Sequence, residues 1–433
     1  MFRKTLSLLS SLKSKHVASA AYCSVLNDSS RVCSEEIKHV NTEQTKVGKT
    51  KSKKARKKIN SVNDKETLDI IEYIQKVNPD MAHMCSKELT DICRTKDART
   101  LYLIDRETAV NYVSLIKNDL LKNTCFVAEM NPGFGILTTE LLKTGVPLIH
   151  LYETNKELYH LLDIIRNNYP NRLDLKHLNL AKIVQILYID KITGANKMEE
   201  ILQDIEYKNW EDKNSMQVIG TIKSEKFFNQ LIKSLLYRNC LMTHGRPVFY
   251  IGVSPSIWHK YTSNNKNLRA YTGSKVLFQT MFDYQILGTL NRKAFLPWPK
   301  KKNLQNISLQ MKLDYENIYV IKLEPKVDLY SHLSQEDWIT FSYFAKHHLQ
   351  KRSSRVIPEL EKWIPGCGIR LIAKDYTIFT QFGELTPVQI MELFKEFKSW
   401  PEYKDSYFLT SMQDSLSVHN ELDFLEINNL KAD

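Results

Sequence analysis

The feature that most limits what this chain can fold into is a strand that runs into a glycine turn and then a helix. Residues 124–130 (TCFVAEM) are mostly apolar and predict a buried strand. Residues 131–135 (NPGFG) break that strand, and residues 136–145 (ILTTELLKTG) resume with helical spacing. They end at Gly145, a residue that suits a helix C-terminus. This succession predicts the first unit of an α/β fold.

Strand and helix continue to alternate after that unit. Further strands are predicted at 147–153, 173–179, 217–222 and 247–255, with helices at 155–169 and 225–239. Because the connections are short, the alternation predicts an α/β fold with a doubly wound, mostly parallel sheet. The segment from about Ala181 to Gln217 is expected to be a polar insertion.

The glycine turn and the acids around it point to a ligand that contains adenosine. Gly133 and Gly135 allow the backbone to approach a ligand closely. Glu153 ends the next strand, where an acid can accept hydrogen bonds from both ribose hydroxyls. NAD, S-adenosylmethionine and a tight turn without a ligand all fit this pattern. Thr138 replaces the third glycine of a dinucleotide turn, and a carboxylate at Glu129 suits a free amino group, so the pattern favours S-adenosylmethionine.

Three segments resemble the rRNA adenine dimethyltransferases. Residues 129–138 (EMNPGFGILT) resemble the family's first motif, E-[IL]-G-P-G-x-G-x-L-T. Residues 102–105 (YLID) resemble its F-L-x-D segment, which closes over the cofactor, and residues 295–300 (FLPWPK) resemble its F-x-P-x-P-K segment. The matches lie in the family's order. The resemblance implies a Rossmann-like S-adenosylmethionine-dependent methyltransferase domain with a small helical C-terminal domain.

The same resemblance implies an S-adenosylmethionine pocket. By position, its lining would be Leu103, Glu129, Asn131, Gly133, Gly135, Glu153 and Asn179. Asn179 stands where the family has an aspartate that bonds the adenine amino group. An amide oxygen can accept that bond, but without charge. We therefore expect cofactor binding to be weakened.

The family's catalytic tetrapeptide is altered in this chain. The family holds a flipped adenine with N-[LI]-[PA]-[YF], whose carbonyl groups bind the exocyclic amine and whose ring stacks on the base. The matching residues are Thr221, Ile222, Lys223 and Ser224. The proline and the aromatic ring are missing, so most of the positioning that methyl transfer needs is missing too. A degenerate catalytic site with weak or lost activity is expected.

The net charge of +12 is concentrated in the N-terminal arm. Residues 1–65 contain 15 Lys/Arg and 5 Asp/Glu, which leaves the rest of the chain close to neutral. A basic, Ser-rich, acid-free and amphipathic start predicts a mitochondrial transit peptide at 1–25, with a disordered basic tail as the alternative. A disordered basic linker is expected at 26–65. Within it, residues 46–60 (KVGKTKSKKARKKIN) suit a phosphate-binding arm, or else a nuclear localisation signal or a plain solvated linker.

Metal-binding and membrane-spanning patterns are not found in the sequence. Seven cysteines are scattered without a CxxC pair, which argues against a disulfide framework or a structural zinc site. His347 and His348 are interpreted as a solvated helix face rather than a ligand pair. No apolar run approaches the roughly 18 residues that span a bilayer. We expect a reducing compartment, no metal and no membrane.

Beyond residue 326 the pattern becomes helical. Residues 337–352 predict an amphipathic helix with a basic end, and Thr386 is the expected N-cap of another helix. Contacts with nucleic-acid phosphates, or simple solvation, are the two interpretations of Lys346, Lys351, Arg352 and Arg355. The predicted divisions are a methyltransferase-like domain at 66–325, a helical domain at 326–410 and an acidic tail at 411–433. The tail either docks on a partner or folds back.

Two functions follow from the resemblance. Asn131, the insertion and the transit peptide indicate the family's mitochondrial branch, which implies a transcription initiation factor in the matrix nucleoid. Such a factor would bind promoter DNA and mitochondrial RNA polymerase and help melt the promoter. The alternative is an active adenine-N6 dimethyltransferase of mitochondrial small-subunit rRNA, which the intact glycine turn and Glu153 keep open. An NAD-dependent oxidoreductase would lack its third glycine and an evident hydride-transfer site.

Overall fold

The structure, a computed structural model, describes most of the chain beyond its N-terminal arm. The described residues are 68–79, 81, 92, 100–123, 125–266, 271–299 and 309–416. All of them belong to one unit, Glu66–Asp433. The transit peptide, the basic arm and the tail beyond residue 416 lie outside the described residues. Among the helices described, none combines the length and apolar character needed to cross a bilayer.

Seven strands form the central sheet, and two more form a separate short ladder. Their bounds are β1 Tyr102–Leu103, β2 Phe126–Met130, β3 Ile149–Tyr152, β4 Leu173–Lys176, β5 Met216–Ile222, β6 Pro247–Val253, β7 Phe282–Asn291, β8 Phe295–Leu296 and β9 Asn317–Pro325. The order of the large sheet is β4-β3-β2-β5-β6-β9-β7. Strands β2 to β6 pair in parallel, and β9 is antiparallel to both β6 and β7. The predicted mostly parallel sheet is confirmed.

The last two strands of the sheet were not predicted, and they separate this fold from a dinucleotide-binding one. A dinucleotide-binding sheet is mostly parallel, and its usual strand order is 3-2-1-4-5-6. Here β9 lies between β6 and β7 and runs against both. The topology therefore departs from the NAD alternative at the far edge of the sheet.

Helices cover both faces of the sheet, because successive strand residues point to opposite sides. Val127 belongs to one hydrophobic cluster and its neighbour Ala128 to another. The α-helices are Arg106–Lys122, Ile136–Lys143, Lys156–Asn168, Ile183–Thr193, Lys197–Leu202, Lys226–Tyr237, Pro255–Tyr261, Gly273–Met281, Leu309–Glu316, Leu329–His332, Gln335–His348, Val356–Glu361, Gly368–Ile372 and Pro387–Ser399. Residues 68–77 and 407–416 are also helical. Short 3-10 turns occupy Leu180–Lys182, Cys240–His244, Arg292–Ala294, Phe382–Glu384 and Pro401–Asp405.

The segment after β4 is not the polar insertion that the sequence predicts. It forms the helices Ile183–Thr193 and Lys197–Leu202. Between Ala181 and the start of β5, six apolar side chains are buried: Ile183, Ile186, Met198, Ile201, Ile205 and Trp210. Most of its charges lie after residue 196, so the average polarity of the segment hid two apolar helix faces.

The C-terminal region is helical, as predicted. Helix Gln335–His348 packs on helix Gly273–Met281, and its Phe341 and Phe344 are fully buried. The following helix Pro387–Ser399 begins with the predicted cap, since Thr386 Oγ1 accepts a hydrogen bond from the Gln389 amide at 3.3 Å. These helices share one hydrophobic cluster with a face of the sheet, which fixes their position beside it.

Candidate functional site

The glycine turn follows β2 in the middle of the sheet. Gly133 and Gly135 have φ angles of +62° and +72°, in the left-handed region that glycine adopts without strain. Asn131 also has a positive φ, 51°, which asparagine tolerates better than most residues. Gly135 is the N-cap of helix Ile136–Lys143. The backbone therefore turns sharply enough to bring this helix's N-terminus to the carboxyl edge of the sheet.

Glu153 ties the turn to the end of β3. Its Oε2 accepts a hydrogen bond from the Gly133 amide at 3.2 Å. Its Oε1 accepts from the amides of Thr154 and Asn155, both at 2.8 Å. The side chain is fully buried, and burial raises its pKa while the three amides oppose that rise. A carboxylate has about four acceptor sites, so roughly one is left for a ligand hydroxyl.

Glu129 lies beneath the turn as a buried acid. Its Oε2 accepts a hydrogen bond from Thr138 Oγ1 at 2.7 Å, and its Oε1 has no hydrogen-bond partner. Burial raises its pKa to about 8, against the effect of the Thr138 bond and with a further push from Glu153. At neutral pH the group is therefore mostly a neutral acid rather than the carboxylate that the sequence suggested. The bare Oε1 is an acceptor that a cationic ligand can use.

Tyr102 covers the glycine turn, a role that the sequence analysis did not assign. It lies in β1, which pairs with β8 through Tyr102↔Leu296 and Leu103↔Phe295. A Cβ placed on Gly133 would lie only 2.5 Å from Tyr102 Cδ1. The ring also packs edge-on against Phe134, with centroids 6.3 Å apart. The space that the missing side chain of Gly133 leaves open is thus taken by the Tyr102 ring of the protein itself.

The remaining predicted site residues fall into two groups. A cleft of about 60 Å³ is lined by Asn131, Asn179, Thr221, Ile222 and Ser224, together with Thr100, Ala181, Lys182, Gln185, Lys226, Phe227 and Gln230. The cleft is small beside the roughly 300–1,000 Å³ of typical ligand pockets. Leu103, by contrast, is buried in the hydrophobic core. The structure therefore brings Asn131 and Asn179 together with the tetrapeptide positions Thr221, Ile222 and Ser224, and it leaves Leu103 outside this cleft.

The tetrapeptide positions are used for structure as much as for lining the cleft. Thr221 and Ile222 are the last residues of β5 rather than part of a loop after it. Thr221 Oγ1 donates a hydrogen bond to the Leu101 carbonyl at 2.5 Å, which fixes the segment that leads into β1. Lys223 is exposed. None of these side chains presents an aromatic ring to a base.

The polar groups of these residues suit S-adenosylmethionine, but the space between them is too small to hold it. Glu129 Oε1 can accept a hydrogen bond from an ammonium group, Glu153 retains an acceptor for a hydroxyl, and Asn179 lines the small cleft. Asn179 Oδ1 already accepts a bond from the Ala181 amide at 3.0 Å, so its second lone pair is the one available. Tyr102 occupies the approach to Gly133. Loading of the site therefore requires the Tyr102 side chain to move aside.

A second candidate surface lies in the C-terminal helical region. Lys346, Lys351 and Arg355 are exposed, whereas Arg352 is half-buried. The Arg355 guanidinium lies 5.4 Å from the centroid of the Phe379 ring, and Phe379 is 65% exposed. Phe379 could not be found from the sequence, because no regular spacing relates it to Arg355. A short bridge between Arg355 and Gln381 is what brings the two together.

The interpretation of His347 and His348 as a solvated helix face is wrong for His348. That ring is 2% exposed and stacks on Phe382, with centroids 4.3 Å apart and planes at 6°. Burial lowers its pKa well below the usual value. The covering residue belongs to the 3-10 turn Phe382–Glu384, a contact between distant segments that helical periodicity cannot reveal.

Comparisons with known proteins give a consistent set of relatives. The sequence is 28% identical to the mitochondrial dimethyladenosine transferase 2 of Drosophila melanogaster, covering 73% of this chain and 79% of that protein. The Homo sapiens protein of the same name is 22% identical, covering 67% and 74%. A solved dimethyladenosine transferase from Plasmodium falciparum is 13% identical, with a TM-score of 0.45, and covers 69% of this chain and 97% of that one. No protein-family model matches the sequence. The relatives' names support a mitochondrial location.

Proposed function

We propose that this chain is a mitochondrial transcription initiation factor built on the fold of the rRNA adenine dimethyltransferase family. The chain is homologous to proteins named mitochondrial dimethyladenosine transferase 2 in several species. In this proposal it binds promoter DNA in the matrix nucleoid. It works with mitochondrial RNA polymerase, and its task is to stabilise the melted promoter.

The observation that carries the proposal is the state of the base-binding tetrapeptide. An adenine dimethyltransferase needs a ring to stack on the flipped base and carbonyl groups to hold its amine. Thr221 and Ile222 are instead part of β5, and the Thr221 hydroxyl is bonded to the Leu101 carbonyl. A site that cannot grip an adenine loses the alignment on which methyl transfer depends.

The proposed nucleic-acid surface combines cations with an exposed ring. Lys346, Lys351, Arg352 and Arg355 provide positive charge, which supplies most sequence-independent affinity for nucleic acid. Phe379 offers a flat apolar face beneath Arg355. Aromatic rings beside cations are the usual means of binding unstacked bases in single strands. This combination suits a melted strand better than closed duplex, whose bases are stacked inside.

S-adenosylmethionine remains the proposed ligand of the glycine turn. When bound, it supplies an electrophilic methyl group. The role of Glu129 is to accept, at its Oε1, a hydrogen bond from the amino group of the ligand. A cationic amino group there favours the charged carboxylate form of Glu129. Glu153 accepts a ribose hydroxyl while it holds the turn closed from below. We expect Glu153→Ala to weaken binding by about 1.5–3 kcal/mol, measured by calorimetry, and equal affinity of both proteins would remove Glu153 from the site.

Active dimethylation of mitochondrial small-subunit rRNA is the second candidate. The observation that favours it is the buried acid beneath the glycine turn: Glu129 Oε1 has no hydrogen-bond partner and could accept one from a bound cofactor. Purified protein, labelled cofactor and the cognate rRNA hairpin decide between the two. We expect poor methylation that rises when Thr221→Asn, Lys223→Pro and Ser224→Tyr are combined, whereas Ser224→Tyr alone serves as the control. Strong dimethylation by the unaltered protein would establish the second candidate.

Transcription on two templates tests the first candidate directly. The factor should stimulate mitochondrial RNA polymerase strongly on a linear duplex promoter. It should stimulate far less on a template already melted at the start site, since opening costs about 1.4 kcal/mol per base-pair step. Equal stimulation on both templates would show that melting is not its task. Absence of stimulation on either would refute the transcription role.

A further inference from the structure

The last turn of helix Gln335–His348 and the helix Val356–Glu361 bring three metal-binding side chains together. One ligand atom each from His347, His348 and Glu359 lies within 4.8 Å of the other two. Two imidazole nitrogens and one carboxylate oxygen are a ligand set that Zn²⁺ uses, with water in the fourth position. Both histidines lie in the last turn of their helix, where the unsatisfied carbonyl groups favour a cation.

The second observation concerns His348 itself. Its ring is almost completely buried, and neither Nδ1 nor Nε2 has a hydrogen-bond partner. A buried polar atom without a partner destabilises a folded protein, and such atoms call for an explanation such as a bound ion. Phe344 and Phe382 hold the ring in place from two directions. The imidazole is thus fixed, neutral and free to bind.

We propose that His347, His348 and Glu359 form a Zn²⁺ site. Zn²⁺ bonds of about 2.0–2.2 Å place neighbouring ligand atoms roughly 3.4 Å apart, so the ligands must close by at most about 1.4 Å. His347 and Glu359 can supply this movement because both are only partly buried. The ion would join two helices across residues 349–355 and so fix the segment that carries Lys351, Arg352 and Arg355.

Lys362 does not prevent this. Its ammonium lies 2.8 Å from Glu359 Oε1, but the lysine side chain is 64% exposed and the pair spans one helical turn. Solvent-exposed ion pairs contribute little to stability, so an ion can displace the lysine into solvent. Zn²⁺ binds the neutral imidazole, so Zn²⁺ binding should weaken as pH falls and the imidazoles become protonated.

A second cluster of similar composition serves as a contrast. His150, Asp174 and Asp204 also lie within reach of one another. There, Lys176 Nζ is 2.8 Å from Asp204 and 3.4 Å from Asp174, and its side chain is only 15% exposed. His150 Nδ1 is already bonded to Asp174 at 2.9 Å. A mostly buried lysine therefore occupies the cation position in that cluster, and we expect no Zn²⁺ there.

The test uses the full chain, stripped with a chelator and titrated with Zn²⁺ by calorimetry, with the thermal midpoint followed in parallel. We expect one equivalent to bind and the midpoint to rise. Glu359→Gln, which preserves shape at a part-exposed position, should weaken the affinity at least about tenfold, and His348→Gln should do the same. His332→Gln, at an exposed histidine paired with Asp328, should leave binding unchanged.

Three outcomes would overturn the proposal. One is Zn²⁺ affinity in Glu359→Gln equal to that of the unaltered protein. Another is no bound Zn²⁺ in a protein whose circular dichroism and thermal midpoint show that it is folded. The third is stabilisation by inorganic phosphate but not by Zn²⁺, which would assign the pocket to an anion and to the buried, unpartnered Nε1 of Trp363. The titration contains neither DNA nor S-adenosylmethionine, so its failure leaves the proposed function untouched.

Discussion

The glycine-turn end of the sheet and the C-terminal surface around Arg355 differ in almost every physical respect. The turn is buried and acidic, and it is closed by the protein's own groups. Glu153 holds three backbone amides, and Tyr102 lies over Gly133. The C-terminal surface is exposed and basic, and it carries a ring open to solvent.

This difference bears on how a catalytic fold can become a binding fold. In the proposed factor, a position that the resembled family uses for catalysis has instead a structural use. Thr221 shows this, because its hydroxyl fixes the segment before β1. A surface that binds single-stranded nucleic acid needs only positive charge and an accessible ring. Each prediction below perturbs one of the two regions.

The largest expected effect concerns the buried acid Glu129. Burial raises its pKa from 4.5 to about 8, so the folded state holds a proton that the unfolded state has lost. The free energy of unfolding should therefore fall as pH rises from 4.5 to 8, by up to about 1.4 kcal/mol per pH unit from this group. Glu129→Gln should flatten that slope and gain stability at pH 8. Urea unfolding at several pH values measures it, and parallel curves for both proteins would contradict it.

The next effect separates crowding from backbone strain. Gly133→Ala would place a methyl group against Tyr102 at a positive φ, and we expect a cost of about 2–4 kcal/mol. Gly145→Ala has a positive φ, +92°, but nothing within 4 Å, so only about 1–2 kcal/mol is expected. In a Tyr102→Ala background, Gly133→Ala should cost no more than Gly145→Ala costs in the unaltered protein. Equal unfolding energies for the two single variants would show that Tyr102 does not cover the turn.

On the C-terminal surface, the position of the Phe379 ring beside Arg355 should matter more for DNA binding than the exposed area of the ring. Phe379→Ala should weaken binding of single-stranded DNA by about 1–3 kcal/mol. Tyr407→Ala, a similarly exposed aromatic at 69%, should leave binding unchanged. Fluorescence anisotropy with a labelled strand gives both affinities. Equal decreases in the two variants would point to general surface effects and away from base stacking.

The smallest effect is expected from the basic arm. Deletion of residues 46–58 should reduce the salt dependence of single-stranded DNA binding, by about 0.7 in the logarithmic slope for each phosphate that the arm neutralises. Stimulation of transcription should survive, since the ring and cations of the folded region remain. Complete abolition of stimulation would move the functional centre from the C-terminal surface to the arm.

Local patterns predicted the parallel half of this fold well. Strands β2 to β6 and the capped helix at Thr386 follow from apolar periodicity and capping residues, which are short-range properties. Strands β7 and β9 were missed, although β7 is long. Its exposed and half-buried positions, such as Ile286, give it no simple alternation, and its pairing partner lies across a long connection.

The residues of the candidate site also divide into those that local sequence patterns reveal and those that depend on distant contacts. Gly133, Gly135 and Glu153 were recognisable because turn geometry and strand ends are encoded locally. Tyr102 over the turn and Phe379 beneath Arg355 depend on contacts between distant segments, which spacing cannot reveal. The neutral state of Glu129 was also hidden, because a pKa depends on how deeply the folded protein buries the group.

The two-residue ladder between β1 and β8 has a consequence for timing. Leu296 is the partner of Tyr102, yet it is synthesised long after strands β2 to β6 are complete, and contacts between distant residues form late. Leu103, Phe295 and Leu296 are buried, so this segment can open only when side chains leave the core. It is the segment that covers the glycine turn. The rate at which any ligand reaches that turn should be set by this local opening, so it should become independent of ligand concentration once the ligand is abundant.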